Sequence, residues 1–192
     1  MKTNRYVRGC GEGLIVVVLA IFLAAPAMAG EFTLNSTNAF RVDSVGVRGG
    51  YDAERTSDHL SQTDVFGNWD LPWSLGQQDV WRLQTRLEAS AGWLGKRSHN
   101  AFIGTIGPGF IISFHNFPLS IEGGVSATAL SEDRFRPQNF GSLFEFISHA
   151  GLNYDIGEHW RIGYRFQHMS NAGIAHPNPG LNMHMFSVSF LF

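Results

Sequence analysis

Apolar and polar residues alternate with a period of two along most of the chain, which predicts strands with one apolar and one polar face. The segment Trp81–Trp93 shows this most clearly, because its apolar residues all fall on one face: Trp81, Leu83, Leu87, Ala89, Ala91 and Trp93. The opposite face carries charged or small residues: Arg82, Gln84, Arg86, Glu88, Ser90 and Gly92. An apolar band bordered by aromatic residues is typical of a strand that crosses an outer membrane.

Eight segments follow this alternation or are compatible with it, and their estimated starts lie near residues 42, 63, 80, 101, 119, 142, 160 and 183. Longer and shorter steps between these starts alternate. Transmembrane barrels join antiparallel strands by short periplasmic turns and longer outer loops, which produces such an alternation. Asp155–His159 is a short turn and Asn171–Leu181 is a long loop. We therefore predict an all-β fold, an eight-stranded antiparallel transmembrane β-barrel of the outer membrane.

A soluble sandwich or a lipocalin-like barrel is the alternative fold, with the apolar face inside and the polar face in water. In a membrane barrel the polar face points inward, and eight strands leave an interior that side chains fill. The inward charges would then neutralise one another as a structural plug, which argues against a conducting pore. The predicted plug residues are Arg82, Arg86, Arg161 and Arg165 with Glu88, Glu122 and Glu145.

The first 29 residues have the plan of a cleaved signal peptide. Three basic residues precede the apolar run Leu14–Ala25, and small residues precede an expected cut after Ala29. This run is too short to span a bilayer as a helix. We expect residues 1–29 to be removed and residues 30–192 to form one barrel domain.

Net charge and cysteine content argue against some classes of partner and of metal site. Residues 30–192 contain 11 Lys and Arg against 15 Asp and Glu, a net charge of −4. A nucleic-acid partner is not expected, since it requires a basic surface. The one cysteine, Cys10, lies in the predicted signal peptide, so disulfides and thiolate metal sites are excluded from the mature chain.

Residues suited to acyl transfer share the outward face of the seventh predicted strand near its outer end. His168 and Ser170 have the parity of Phe166, and Asn182 is expected at the same level on the last strand. Polar groups on a lipid face cost free energy unless they have partners. A Ser hydroxyl becomes a nucleophile when a His takes its proton and a third group orients the imidazole. The simpler alternative is that His168 and Ser170 are interfacial polar residues only.

The stretch HMSNAGIAHPNPGLN, His168 to Asn182, resembles the active-site segment of PagL-type lipid A 3-O-deacylases of the bacterial outer membrane. The resemblance implies that His168 is the general base, that Ser170 is the nucleophile and that Asn171 contributes at the oxyanion. Position 182 holds Asn where a well-known family enzyme has Glu. An amide oxygen can still accept the imidazole N–H, as in Cys-His-Asn enzymes, but it cannot offset the charge of the imidazolium.

The resemblance implies a serine esterase that hydrolyses the ester-linked 3-hydroxyacyl chain at position 3 of lipid A, with neither metal nor cofactor. Its partners are expected to be lipopolysaccharide in the outer leaflet and membrane lipids, and a homodimer is left open. Two alternatives remain for the function. One is a non-catalytic small barrel that acts as an adhesin or stabilises the membrane. The other is an outer-membrane phospholipase, which would use the same chemistry on another lipid.

Overall fold

The chain forms a closed barrel of eight antiparallel strands, as predicted from the alternation. The computed structural model describes residues 33–34, 40–54, 60–76, 80–96, 99–135 and 138–192. The barrel strands are β1 (Arg41–Asp52), β2 (Ser61–Leu75), β3 (Trp81–Lys96), β4 (His99–Phe114), β5 (Phe117–Leu130), β6 (Phe144–Ile156), β7 (Trp160–Ser170) and β8 (Leu181–Leu191). The predicted signal peptide, residues 1–29, lies outside the described residues.

Each strand pairs with its neighbours in sequence, and β8 pairs with β1 to close the sheet. Every strand begins within two residues of its predicted start. Short two-residue strands occur in addition to the eight barrel strands. Thr33–Leu34 pairs with β2, and Arg134–Phe135 pairs with Gln138–Asn139 in the connection between β5 and β6.

The predicted alternation of long and short connections holds in one half of the barrel only. At the end where β5 and β7 finish, the long connections are 131–143 and 171–180, and at the other end the turns are 115–116 and 157–159. However, only two residues join β3 to β4 at the long-loop end. The reason is that β3 and β4 have 16 residues each, so the hairpin gains its length from the strands and not from a loop.

Apolar side chains cover the outside of the barrel, which is the arrangement expected for a lipid-facing surface. Exposed residues of this kind include Val47, Val65, Trp93, Ile106, Leu152, Ile162 and Phe186. The polar faces of the same strands point inward and are buried. This arrangement is the reverse of a soluble sandwich or lipocalin-like barrel. Among the described residues, no helix is long and apolar enough to cross a membrane.

Ion pairs fill the middle of the interior. Arg86 binds Glu88 and Glu122 at 2.8 Å and 2.6 Å, and Arg48 binds Asp64 at 2.7 Å. The predicted plug is therefore present, although its pairing differs in part from the prediction. Arg161 pairs with Asp155 at 2.6 Å, and Arg82 donates to the Gln84 side chain at 2.6 Å, because these residues lie closer to the periplasmic rim.

The outer end of the interior is apolar, a feature that the prediction of an inward polar face did not include. A buried cluster there combines inward residues of six strands with loop residues: Leu60, Leu94, Ala101, Ile103, Leu130, Phe135, Phe140, Ile147, Met169, Leu181, Met183 and Met185. Glu145 lies near this level on β6 and is fully buried. Within the described part of the chain its carboxylate has no hydrogen-bond partner, so the predicted pairing of Glu145 with an arginine is wrong.

Candidate active site

The hairpin of β7 and β8 places His168 and Asn182 directly opposite each other at the outer end of the barrel. The even-numbered residues of both strands point outward, as the exposure of Ile162 and Phe186 shows. His168, Ser170 and Asn182 share this outward face, because side chains two residues apart on a strand point the same way.

The imidazole of His168 is hydrogen-bonded to the amide of Asn182, with 2.8 Å between Nδ1 and Oδ1. An amide oxygen can only accept, so the Nδ1–H of His168 donates. The remaining ring nitrogen, Nε2, is then unprotonated in the neutral imidazole and can accept a proton. This tautomer is the one that a general base for a serine hydroxyl requires.

Ser170 lies two residues beyond His168, at the last position of β7. Within the described ranges no hydrogen bond joins its hydroxyl to His168. Catalytic hydrogen bonds are often long in structures without substrate, so this separation is compatible with a nucleophile and its base. Both side chains are largely covered, with 9% of His168 and 7% of Ser170 exposed.

The cover over this pair was not predicted. Both side chains point outward, as their parity predicts, but neither lies open on the lipid surface. Phe146 of β6 pairs with Ser170 in the sheet, and Gly180 of the β7–β8 loop lies against the His168 ring. The pair is therefore largely covered, and the loop that joins β7 to β8 lies against His168.

Gly180 is a feature of the site that sequence reasoning missed. Its φ is +71°, a conformation that favours glycine. A Cβ at this position would lie 3.0 Å from Cε1 and 3.6 Å from Nε2 of His168. The signal in the sequence is the Pro-Gly turn before β8, which does not reveal that the glycine touches the imidazole.

Asn171 is fully buried and organises the β7–β8 loop, residues 171–180. Its side-chain N–H groups donate to the carbonyl oxygens of Phe140 at 3.0 Å, Ala175 at 3.1 Å and Pro177 at 3.4 Å. Its side-chain oxygen accepts from the N–H of Gly173 at 2.9 Å. The whole amide is thus engaged in holding the loop.

Asn178 completes this arrangement. Its side-chain oxygen accepts a hydrogen bond from the backbone N–H of Asn171 at 3.2 Å. This contact fixes one side of the loop next to Ser170, and it also shows that the Asn178 oxygen has a partner other than His168.

A second residue that the sequence reasoning missed is Ser148 on β6. It pairs directly with His168 in the sheet and is fully buried. Its hydroxyl has no hydrogen-bond partner among the residues that the structure describes. Ser148, His168 and Asn182 thus form one row across three strands, which only the strand register reveals.

An aromatic and histidine cluster lies one row below, toward the membrane centre. The ring of His184 accepts or donates a hydrogen bond at Nδ1 with the hydroxyl of Tyr164 at 2.8 Å. The same ring contacts Tyr51 and Phe166. A polar ring on a lipid-facing surface is costly without a partner, and Tyr164 supplies that partner.

The described residues contain no group of three or more His, Cys, Asp or Glu side chains that could hold a metal ion.

Comparison with known proteins gives consistent matches along most of the barrel. The profile of the family described as Lipid A 3-O-deacylase (PagL) matches residues 62–190. Lipid A deacylase PagL of Bordetella bronchiseptica is 42% identical over 72 residues, which are 38% of this chain and 40% of that protein. Lipid A deacylase PagL of Pseudomonas aeruginosa is 26% identical over 155 residues, which are 77% of this chain and 87% of that protein.

A solved structure supports the same fold. The crystal structure of the outer membrane enzyme PagL superposes with a TM-score of 0.66 and 23% sequence identity. The match covers 78% of this chain and 99% of the other, so the likeness extends over the whole barrel.

Proposed function

Because the chain belongs to the PagL family of lipid A 3-O-deacylases, we propose that it hydrolyses the ester of the 3-hydroxyacyl chain at position 3 of lipid A. Its barrel is of the outer-membrane type, which brings the site to the leaflet where lipopolysaccharide resides. The observation that carries the proposal is the 2.8 Å hydrogen bond between His168 and Asn182, beside Ser170 on the same face.

Ser170 is the proposed nucleophile and His168 the proposed general base. Nε2 of His168 takes the hydroxyl proton as Oγ of Ser170 attacks the ester carbonyl carbon. When the tetrahedral intermediate collapses, the bond to the sugar oxygen breaks and His168 returns the proton to that oxygen. A water molecule then attacks the acyl-enzyme carbonyl while His168 takes its proton. The bond to Oγ of Ser170 breaks, His168 returns the proton to that oxygen, and the hydroxy fatty acid leaves.

Asn182 is proposed to orient the imidazole. Its oxygen holds the proton on Nδ1 and leaves Nε2 unprotonated, so that Nε2 can accept the proton of Ser170. A neutral amide supports the correct tautomer but provides no charge opposite the imidazolium. We therefore expect a working enzyme that a carboxylate at position 182 can still improve.

Asn171 is proposed to support the site through the loop. A direct role of its side chain at the oxyanion would require an N–H to leave one of the three carbonyl oxygens that it now binds. The contribution that fits its full burial is to hold the β7–β8 loop beside Ser170.

The test is mass spectrometry of lipid A from cells that express the protein. Wild type should yield lipid A lighter by one hydroxyacyl chain, and the Ser170→Ala variant should yield unmodified lipid A. Unchanged lipid A with wild type, together with released fatty acid from phospholipids, would indicate a phospholipase instead. No change in either lipid would indicate a non-catalytic barrel.

A further inference from the structure

The β7–β8 loop that covers His168 is itself supported by another loop. The β5–β6 loop, described at residues 131–135 and 138–143, lies next to it at the outer end of the barrel, and three separate contacts join the two loops. The active-site motif, His168 to Asn182, includes no residue of the β5–β6 loop.

This loop is anchored inside the barrel. Phe135 and Phe140 are 2% and 1% exposed and belong to the apolar cluster that fills the outer end of the interior. Their rings pack edge to face with 5.9 Å between centroids. The backbone N–H of Phe140 donates to the carbonyl oxygen of Asp133 at 2.8 Å. Such burial makes the loop a fixed support.

The first contact reaches the residue that follows Ser170. The side-chain amide of Asn171 donates to the carbonyl oxygen of Phe140 at 3.0 Å, and the contact is buried. The position of Phe140 in the apolar cluster therefore sets the position of Asn171.

The second contact is backbone against backbone. Gly141 has a φ of +79°, and a Cβ on it would lie 3.0 Å from the carbonyl carbon of His176 and the nitrogen of Pro177. That Cβ would come closer still to the carbonyl oxygen of Pro177. Neither partner is a flexible side chain, so any larger residue at position 141 must push the β7–β8 loop away.

The third contact joins the β5–β6 loop to the glycine that lies against the imidazole of His168. The side-chain amide of Gln138 donates to the carbonyl oxygen of Gly180 at 3.4 Å. Gly180 in turn lies against the His168 ring. The β5–β6 loop thus contacts both ends of the β7–β8 loop: Asn171, which follows Ser170, and Gly180, which lies against His168.

We propose that the β5–β6 loop is a positioning element for deacylation, with Gly141 and Gln138 as its positioning residues. The proposal rests on the proposed function above. Neither residue touches the reacting groups, and both act by keeping the β7–β8 loop against His168. Displacement of a catalytic group by about 1 Å can cost roughly 100-fold in rate, so the expected effect is on kcat.

The experiment compares purified wild type, Gly141→Ala and Gly157→Ala. Gly157 also has a positive φ, +66°, but a Cβ on it would meet nothing within 4 Å, and it sits in the turn at the opposite end of the barrel. A fluorophosphonate probe counts the reactive Ser170 residues in each preparation, and kcat is expressed per labelled serine. A merely structural role would lower the labelled fraction without lowering this normalised kcat.

We expect Gly141→Ala to lower normalised kcat by about 10- to 100-fold, with KM nearly unchanged, and to slow the phosphonylation rate in parallel. Gly157→Ala should keep both values. Gln138→Glu retains the side-chain size and removes the donor, so it should lower kcat in the same direction. Arg134→Gln is its control, because that side chain is 76% exposed on the same loop.

The proposal is overturned if Gly141→Ala and Gln138→Glu both keep normalised kcat within about twofold of wild type, a range below the effect expected from misplacement. If Gly141→Ala does not fold, Gln138→Glu against Arg134→Gln decides. Ser170→Ala is measured alongside. Equal acyl release by wild type and Ser170→Ala would refute the proposed function, whereas a clear difference between them with unaffected loop variants would refute the positioning role alone.

Discussion

Asn182 accepts a hydrogen bond from Nδ1 of His168 across the β7–β8 pair, at 2.8 Å and at directly opposite positions of the sheet. A neutral amide thus stands where a carboxylate would serve both to orient the imidazole and to stabilise its charged form. Substitutions at position 182 can separate the orientation of the imidazole from the stabilisation of its charged form.

Asn182→Ala should slow acyl release by at least about tenfold, because the imidazole loses the partner that fixes its tautomer. Asn182→Glu should keep or raise the rate, since a carboxylate also stabilises the imidazolium that forms as Ser170 attacks. The measurement is the initial rate of hydroxy fatty acid release by the three purified proteins. If Asn182→Ala matches wild type, another residue orients His168.

Asn178 is the matched control for that result. Its oxygen accepts from the backbone of Asn171 at 3.2 Å, so it is committed to the loop. Asn178→Ala should therefore leave the response to substitution at position 182 intact: Asn182→Glu should keep or raise the rate in the Asn178→Ala background as well. Loss of that response would assign the orienting role to Asn178.

Gly180→Ala should reduce activity through the imidazole. The new Cβ would lie 3.0 Å from Cε1 of His168, which is tight enough to displace the ring. Gly173→Ala in the same loop carries a similar backbone penalty, since its φ is +81°, but its Cβ would meet nothing within 4 Å. Initial rates should fall by roughly tenfold or more for Gly180→Ala and much less for Gly173→Ala. Equal losses would show that backbone strain alone is responsible.

Much of the barrel follows from the sequence, because alternation on a strand such as β7 directly encodes which residues face lipid. The outer end of the interior does not follow, since Met169, Met183 and Met185 make the inward face apolar as well. Where both faces are apolar, the period-two signal no longer distinguishes inside from outside.

The sequence predicted which polar residues the last hairpin brings to one face, but not what surrounds them. His168, Ser170 and Asn182 lie within one hairpin, so motif and parity bring them to the same face. Ser148 lies beside His168 on β6, and Gly141 lies against the β7–β8 loop; their places depend on register and on backbone approach between distant segments. Local sequence carries no signal for either relation.

Tyr164→Phe should destabilise the barrel by removing the partner of His184 on the lipid face. The expected cost is about 0.5–2 kcal/mol in the free energy of unfolding, the range of hydrogen bonds in membrane proteins. Tyr154→Phe is the control, because Tyr154 also faces lipid, at 47% exposure. Denaturant unfolding in lipid vesicles should separate the two variants. If Tyr154→Phe lowered the free energy of unfolding as much as Tyr164→Phe, the loss could not be assigned to the hydrogen bond between Tyr164 and His184.

Arg86→Met should destabilise the barrel more strongly. It leaves Glu88 and Glu122 without their shared partner in the interior, a loss of about 3–5 kcal/mol for a broken buried pair. Arg82→Met, at the rim, should cost less than about 1 kcal/mol. The check is the unfolding midpoint of each variant in the same detergent. A small effect of Arg86→Met would mean that water reaches these carboxylates.

The central claim is that Ser170 and His168 carry out ester hydrolysis, and the most direct measurement is the release of 3-hydroxy fatty acid from purified lipid A. Wild type, Ser170→Ala and His168→Ala would be compared in one detergent, each shown to be a folded barrel. We predict release by wild type and a loss of about 10⁴-fold or more in both variants. Release by Ser170→Ala at the wild-type rate would contradict the account.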